Sequence, residues 1–308
     1  MKVPMTYARS MSYSLRPGPN YRPNTPITIE VCFFDIDNTL ISNDSAELPS
    51  KRFQQISRKA GKNTLIGVAT ARSLQRAQHI LDAIGSNSIS ILSNGAVLYD
   101  AASKKIVVDN SLPLDATNEL IREFRRRTFS YEVQDDGIDY TWAYPAGNAP
   151  GNMTYTSAID PLHPQGPRRK VPDYTPRHPR ILCATVFSDV DVERVHALAS
   201  KYADKDVTSL VGHTTLLAGG KTKYEIFVVH KNANKQWAMA KALEILGIPA
   251  KNALAVADGH NDLALMQMAG IGVAVDNAVP EVLANATFIA PSQEDDGAAT
   301  ALEQLIKL

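Results

Sequence analysis

From about residue 27 the chain alternates between short unbroken apolar runs and longer stretches whose apolar positions recur at helical spacing. Residues 27–34 (ITIEVCFF), 64–69 (TLIGVA) and 88–92 (SISIL) are of strand length and rich in β-branched residues. Helices are expected near 49–60 and 73–84. The same rhythm returns at the other end of the chain. Helices are expected over 232–246, 261–268, after Pro280 and from about 294, with buried strands at ALAVA (253–257), IGVAV (271–275) and ATFIA (286–290). Strands alternating with helices predict a doubly wound, mostly parallel α/β sheet of the Rossmann-like kind.

The middle follows another pattern. KIVVD (105–109) reads as a strand, and 115–127 as a helix capped by Asp115. Residues 130–144 alternate like a hairpin turning at Asp136-Gly137. Eight prolines fall in 145–179, a long irregular excursion. Periodicity resumes at RILCATVFS, a helix near 190–202 and three strand-like runs, DVTSL, TTLLA and KYEIFVV. The economical division is a core made of 28–96 and 230–308, interrupted by an inserted α+β cap domain at 97–229. Residues 1–27, with prolines at 17, 19, 23 and 26, are expected to form a poorly ordered extension.

Composition changes this picture little. Formal net charge is zero, so no global field draws nucleic acid or an anionic membrane, and neither is expected as a partner. The two cysteines, Cys32 and Cys183, sit apart in apolar runs, which points to small buried hydrophobes and a reducing compartment. No apolar run reaches the roughly 18–20 residues of a membrane span. A cytoplasmic protein, monomeric or a small homo-oligomer, is the expectation. The arginine- and serine-bearing, acid-poor start is the one feature pointing to organellar targeting.

Four clusters carry chemistry. Phe34-Asp35-Ile36-Asp37-Asn38-Thr39 stands where the first strand runs out, the edge at which open α/β sheets bind ligands. Two carboxylates about 4 Å apart repel by roughly 4 kcal/mol at an effective dielectric near 20, and a divalent cation with a taste for oxygen removes that repulsion. Thr70, in Val68-Ala69-Thr70-Ala71-Arg72, ends the second strand; its hydroxyl suits either a phosphate oxygen or a helix cap. Lys235 lies near a helix start, where the dipole disfavours a cation. Asp258-Gly259-His260-Asn261-Asp262 follows the strand ALAVA directly.

In that order the four clusters resemble the signature of the haloacid dehalogenase superfamily of phosphatases. The large insert and Ser93-Asn94-Gly95-Ala96 are similar to its Cof-type branch with a type IIB cap. The resemblance covers about 28–308. It implies Asp35 as nucleophile and metal ligand, and Asp37 as general acid and base that also reaches the metal through its main-chain carbonyl. It implies Thr70, Lys235 and Asn261 as holders of the phosphoryl group, Asp258 and Asp262 as further metal-site residues, and Mg2+ as cofactor. Arg72 and Asn94 become candidate substrate contacts, and the substrate a small phosphorylated metabolite, a sugar phosphate by preference. Asn38, Ala71 and Ala257 stand where the family usually has glycine. A phosphomutase and a catalytically silent binding module are the alternatives. A metal-dependent glycosyltransferase ranks last, because it explains neither Lys235 nor the second acidic cluster.

Overall fold

The computed structural model describes residues 14–23, 28–42, 47–135, 138–142, 169–170, 175–217 and 220–306. The first strands are β1 (Arg16–Pro17), β2 (Val31–Phe34), β3 (Leu65–Val68), β4 (Ile89–Leu92), β5 (Val97–Asp100) and β6 (Lys105–Asp109), with helices α1 (Lys51–Ala60) and α2 (Leu74–Ile84) among them. The middle contributes α3 (Leu114–Arg126), β7 (Ser130–Asp135), β8 (Ile138–Trp142), β9 (Arg169–Lys170), β10 (Pro179–Val186), α4 (Asp189–Ser200), β11 (Val207–Leu216) and β12 (Thr222–His230). The last stretch adds α5 (Lys235–Leu246), β13 (Ala253–Ala257), α6 (Leu263–Met268), β14 (Ile271–Val275), α7 (Pro280–Ala284), β15 (Phe288–Ala290) and α8 (Gly297–Leu305).

One sheet runs β1-β15-β14-β13-β2-β3, parallel throughout except for β1. All four residues of β2 and all five of β13 are buried, as strands covered on both faces must be. The chain passes from β2 outward to β3, and later fills the other side with β13, β14 and β15. The order therefore reverses between β2 and β13, which is the switch point where such sheets open a crevice. Beyond β3, β4 contacts the sheet through a bridge between Ala69 and Ile91 and turns into the antiparallel β4-β5-β6 meander.

The second sheet, β11-β12-β10-β7-β8-β9, is antiparallel apart from the β8–β9 pair. Helices α3 and α4 cover one of its faces, around Phe124, Tyr131, Leu182, Val195 and Val228. This is the inserted α+β cap. It meets the core through a small apolar junction of Ile181 and Val229 with Ala96 and Ala233.

Several expectations change. DVTSL and TTLLA belong to one strand, β11, whose register shifts between Val211 and His213; the bulge interrupts the alternation and splits the pattern in two. Strand β5 was not foreseen, and its Val97, Leu98 and Tyr99 pack into the core of the parallel sheet. Asp115 lies in the first turn of α3 while Pro113 occupies the cap position. Residues 14–23, expected within a poorly ordered extension, hold to the sheet edge. Arg16 and Pro17 pair with Ile289 and Phe288, Gly18 N donates to Thr287 O at 2.9 Å, and Tyr21 packs on Phe288 with ring centroids 5.1 Å apart. Proline is tolerated there because an edge strand needs only half its ladder bonds. The Asp136-Gly137 turn and most of the proline-rich excursion lie outside the described residues.

Candidate active site

Asp35 is the first residue beyond β2, and its amide donates to Val256 O of β13 at 2.9 Å, so the two strands are still paired where the carboxylate begins. The chain then turns tightly: Asn38 N donates to Ile41 O at 2.7 Å, and Asn38 takes φ +58°. Glycine is the usual residue for that conformation, and asparagine is among the side chains that visit it most readily. This is why Asn38 replaces glycine without disturbing the loop. Asn277 fastens the turn, its Nδ2 donating to Asn38 O at 2.9 Å while its Oδ1 accepts from Gln293 N at 2.8 Å.

Three carboxylates converge across the switch point. One oxygen each of Asp35, Asp258 and Asp262 lies within 4.8 Å of the others, and all three residues are buried. Lys235 Nζ donates to Asp35 Oδ1 at 2.7 Å and to Asp262 Oδ1 at 2.5 Å, with its side chain 0% exposed. Thr39 Oγ1 donates to Asp258 Oδ1 at 2.9 Å, and Gly259 N to Asp262 Oδ2 at 3.3 Å. Thr39 stood in the first cluster without a role, since its partner Asp258 lies far along the chain and meets it only once β2 and β13 are paired.

Three carboxylates face one ammonium in a buried site, so full ionisation would leave an excess of two negative charges. Burial, opposed by Lys235 and reinforced by the charge of Asp262, pushes Asp35 up to about 7. Burial and the charge of Asp35 likewise push Asp258 up to about 7. Asp262 is also raised, chiefly by burial. Burial disfavours the Lys235 ammonium, yet Asp262 and Asp35 together outweigh it and hold the lysine charged. An all-oxygen, doubly anionic cluster of this kind fits a hard divalent cation such as Mg2+.

The second loop builds the opposite wall. Thr70 is buried, and its Oγ1 accepts from Arg72 N at 3.1 Å. Asn94 N donates to Thr70 O at 2.9 Å, and Asn94 Oδ1 accepts from Asn261 Nδ2 at 3.3 Å. Thr70, Asn94 and Asn261 thus form one polar chain from β3 to the loop after β13. Arg72 turns toward Asp37: Nε donates to Oδ2 at 2.9 Å and Nη2 to Oδ1 at 2.5 Å. Gly95, at φ +100°, abuts Asn234, whose side chain caps α5 just before Lys235. The cap carries a cleft of about 520 Å³ lined by Arg126, Arg127, Phe129, Thr185 and Arg194. Its arginines pair with Glu123 and Asp191.

A sequence profile of haloacid dehalogenase-like hydrolases matches residues 32–302. The chain belongs to this family. This haloacid dehalogenase-like hydrolase is 27% identical, over 90% of its length, to a Streptococcus pyogenes protein provisionally named a bifunctional phosphatase/peptidyl-prolyl cis-trans isomerase; it spans 54% of that relative. To 5-amino-6-(5-phospho-D-ribitylamino)uracil phosphatase YwtE of Bacillus subtilis it is 21% identical, covering 88% of this chain and 96% of the relative. The solved structure of a subclass IIB sugar phosphatase superposes with a TM-score of 0.67 at 18% identity, covering 89% of this chain and 98% of the other. Likeness at that identity speaks to the shared fold, a Rossmann-like core with an inserted cap. Among the described residues no helix is long and apolar enough to cross a membrane.

Proposed function

We propose that this hydrolase is a phosphatase that cleaves a small phosphomonoester, a sugar phosphate by first choice, through an aspartyl-phosphate on Asp35. Its enzyme class is phosphoric monoester hydrolase, and YwtE is likewise named a phosphatase. The observation that carries the reading is Lys235: a fully buried ammonium rests on the Asp35 carboxylate at the switch point of the sheet. Asp262 and Asp35 keep that buried ammonium charged, and it stands where it can hold an oxygen of the phosphoryl group that Asp35 accepts.

Attack by Asp35 forms an O–P bond as the bond from phosphorus to the leaving oxygen breaks, and Asp37 supplies the proton that oxygen needs. Asp37 then takes a proton from the water that attacks phosphorus, which restores the Asp35 carboxylate and releases inorganic phosphate. The Thr70 oxygen accepts from Arg72 N, so its own proton is left to donate to a phosphoryl oxygen. Lys235 and Asn261 hold the remaining oxygens. Asp35, Asp258 and Asp262, with the Asp37 main-chain carbonyl, would hold Mg2+. The chemistry that ion supplies when bound is neutralisation of the carboxylates and withdrawal of charge from the phosphoryl oxygens. The cap, drawn as residues 97–229, supplies substrate selection.

The test is phosphate release from a panel of sugar phosphates and an aryl phosphate, with Mg2+, by the wild type and Asp35→Asn. Release that the substitution lowers at least ~10³-fold is expected, the scale on which removing a nucleophile acts. A fully folded wild type silent on every ester would overturn the proposal.

A further inference from the structure

We infer that Arg72 is the positioning residue for Asp37, acting on the reaction through that carboxylate rather than through the substrate. The inference rests on the phosphatase reading above and on the acid–base role proposed there for Asp37. Its basis is geometric. Both oxygens of Asp37 are taken by the planar fork of one guanidinium, through Nε at 2.9 Å and Nη2 at 2.5 Å. The Arg72 side chain is 2% exposed whereas that of Asp37 is 27% exposed, so a buried arginine backs a carboxylate that still reaches solvent.

Arg72 is itself anchored along its main chain. Its N donates to Thr70 Oγ1 at 3.1 Å, and its O accepts from Ser93 N at 2.8 Å. The guanidinium therefore has a fixed origin, and a two-point fork from a fixed origin sets both the place and the plane of Asp37. A lysine could match the charge and one bond, but not the plane. The two acids of the motif are served separately: Lys235 bonds Asp35 and Arg72 bonds Asp37. Proton delivery needs Asp37 to carry a proton on one oxygen, released from the fork and turned toward the departing oxygen, while the other oxygen stays on the guanidinium as a pivot. The burial of Arg72 keeps that pivot in place.

A group that acts through the proton donor matters in proportion to how badly the leaving group needs a proton. The experiment compares kcat/KM for an alkyl phosphate, whose alkoxide leaves poorly, with that for 4-nitrophenyl phosphate, whose phenolate leaves readily. It uses wild type, Arg72→Gln and Arg72→Lys, each also in an Asp37→Asn background. We expect Arg72→Gln to lose on the order of 10²-fold on the alkyl ester, the usual worth of general acid catalysis, and less than about 10-fold on the aryl ester. Arg72→Lys should recover only part of the alkyl loss, and it carries the test alone if Arg72→Gln does not fold. With Asp37 replaced, the same Arg72 substitutions should change the alkyl rate by less than about twofold, because a residue acting through another adds nothing once that partner is gone. Equal losses on both esters, or a loss that persists beside Asp37→Asn, in an active enzyme would overturn this inference alone and make Arg72 a substrate contact or a structural prop. A wild type inactive on both esters would overturn the phosphatase reading and this inference with it.

Discussion

Lys235 joins two buried carboxylates on one ammonium, so its replacement by the similarly shaped but neutral methionine leaves negative charge stranded in a dry site. Breaking a buried pair from one side costs about 3–5 kcal/mol. Lys235→Met should therefore lower stability by that order in urea unfolding, and should abolish phosphate release. The carboxylates make a second prediction, for the metal-free protein. Asp35 and Asp258 are raised to about 7, so between pH 4 and 7 the folded chain holds protons that the unfolded chain has lost. Stability present near pH 4 should fall as pH rises through 7 in EDTA, and Mg2+ should restore most at the upper end. Unfolding curves at several pH values check this, and a flat profile would contradict it. Of these residues, Asp35, Asp37 and Asp258 were legible as acids at strand ends. Lys235 stood out only as a cation where a helix start disfavours one, and its role came from the family resemblance, because nothing local announces that it points into the sheet. The Asp37–Arg72 fork joins residues that look unrelated until β2 and β3 lie side by side.

At the scale of elements, the loop after β4 props the helix that carries Lys235. A Cβ on Gly95 would sit 2.4 Å from Asn234 O, and the position already needs φ +100°. Gly95→Ala should push Asn234 off its capping position, cost about 1–3 kcal/mol of stability as overpacking does, and lower the rate with no catalytic side chain changed. Thermal unfolding and steady-state kinetics on one preparation test both effects. At Asn38 the backbone sits at φ +58°, so Asn38→Gly should keep stability within about 0.5 kcal/mol, whereas a β-branched Asn38→Val should lose about 1–2 kcal/mol. The buried strands of the core were legible because unbroken apolar runs mark them. β5 was not, because Val97–Asp100 follows a turn built on Asn94 at φ +53° and Gly95, and reads as part of that turn. In the cap, alternation identified β7, β10 and β12, and the bulge in β11 concealed its continuity.

Across the whole molecule, the split core was legible because both ends of the chain share one rhythm. The attachment of residues 14–23 was not, because two-residue pairing at a sheet edge carries no periodic signal. Removing residues 1–23 would uncover β15, break the Arg16–Asp276 ion pair and strip Tyr21 from Phe288. The shortened protein should melt lower and self-associate more readily, as exposed edges do, with kcat/KM on an aryl phosphate unchanged. Light scattering beside the kinetic assay checks that. The placement of the switch point has a further consequence, in biosynthesis. β2 finds its neighbour β13 roughly two hundred residues downstream, and at 5–20 residues per second that separation amounts to on the order of 10–40 s of translation. The cap sheet, whose strands lie within one continuous stretch, can assemble on the ribosome during that interval. α1 and α2 can pack on β2 and β3 at once, but the edge of β2 that pairs with β13 must wait open, so folding factors that shield nascent chains should matter to the yield of this enzyme more than to its final stability.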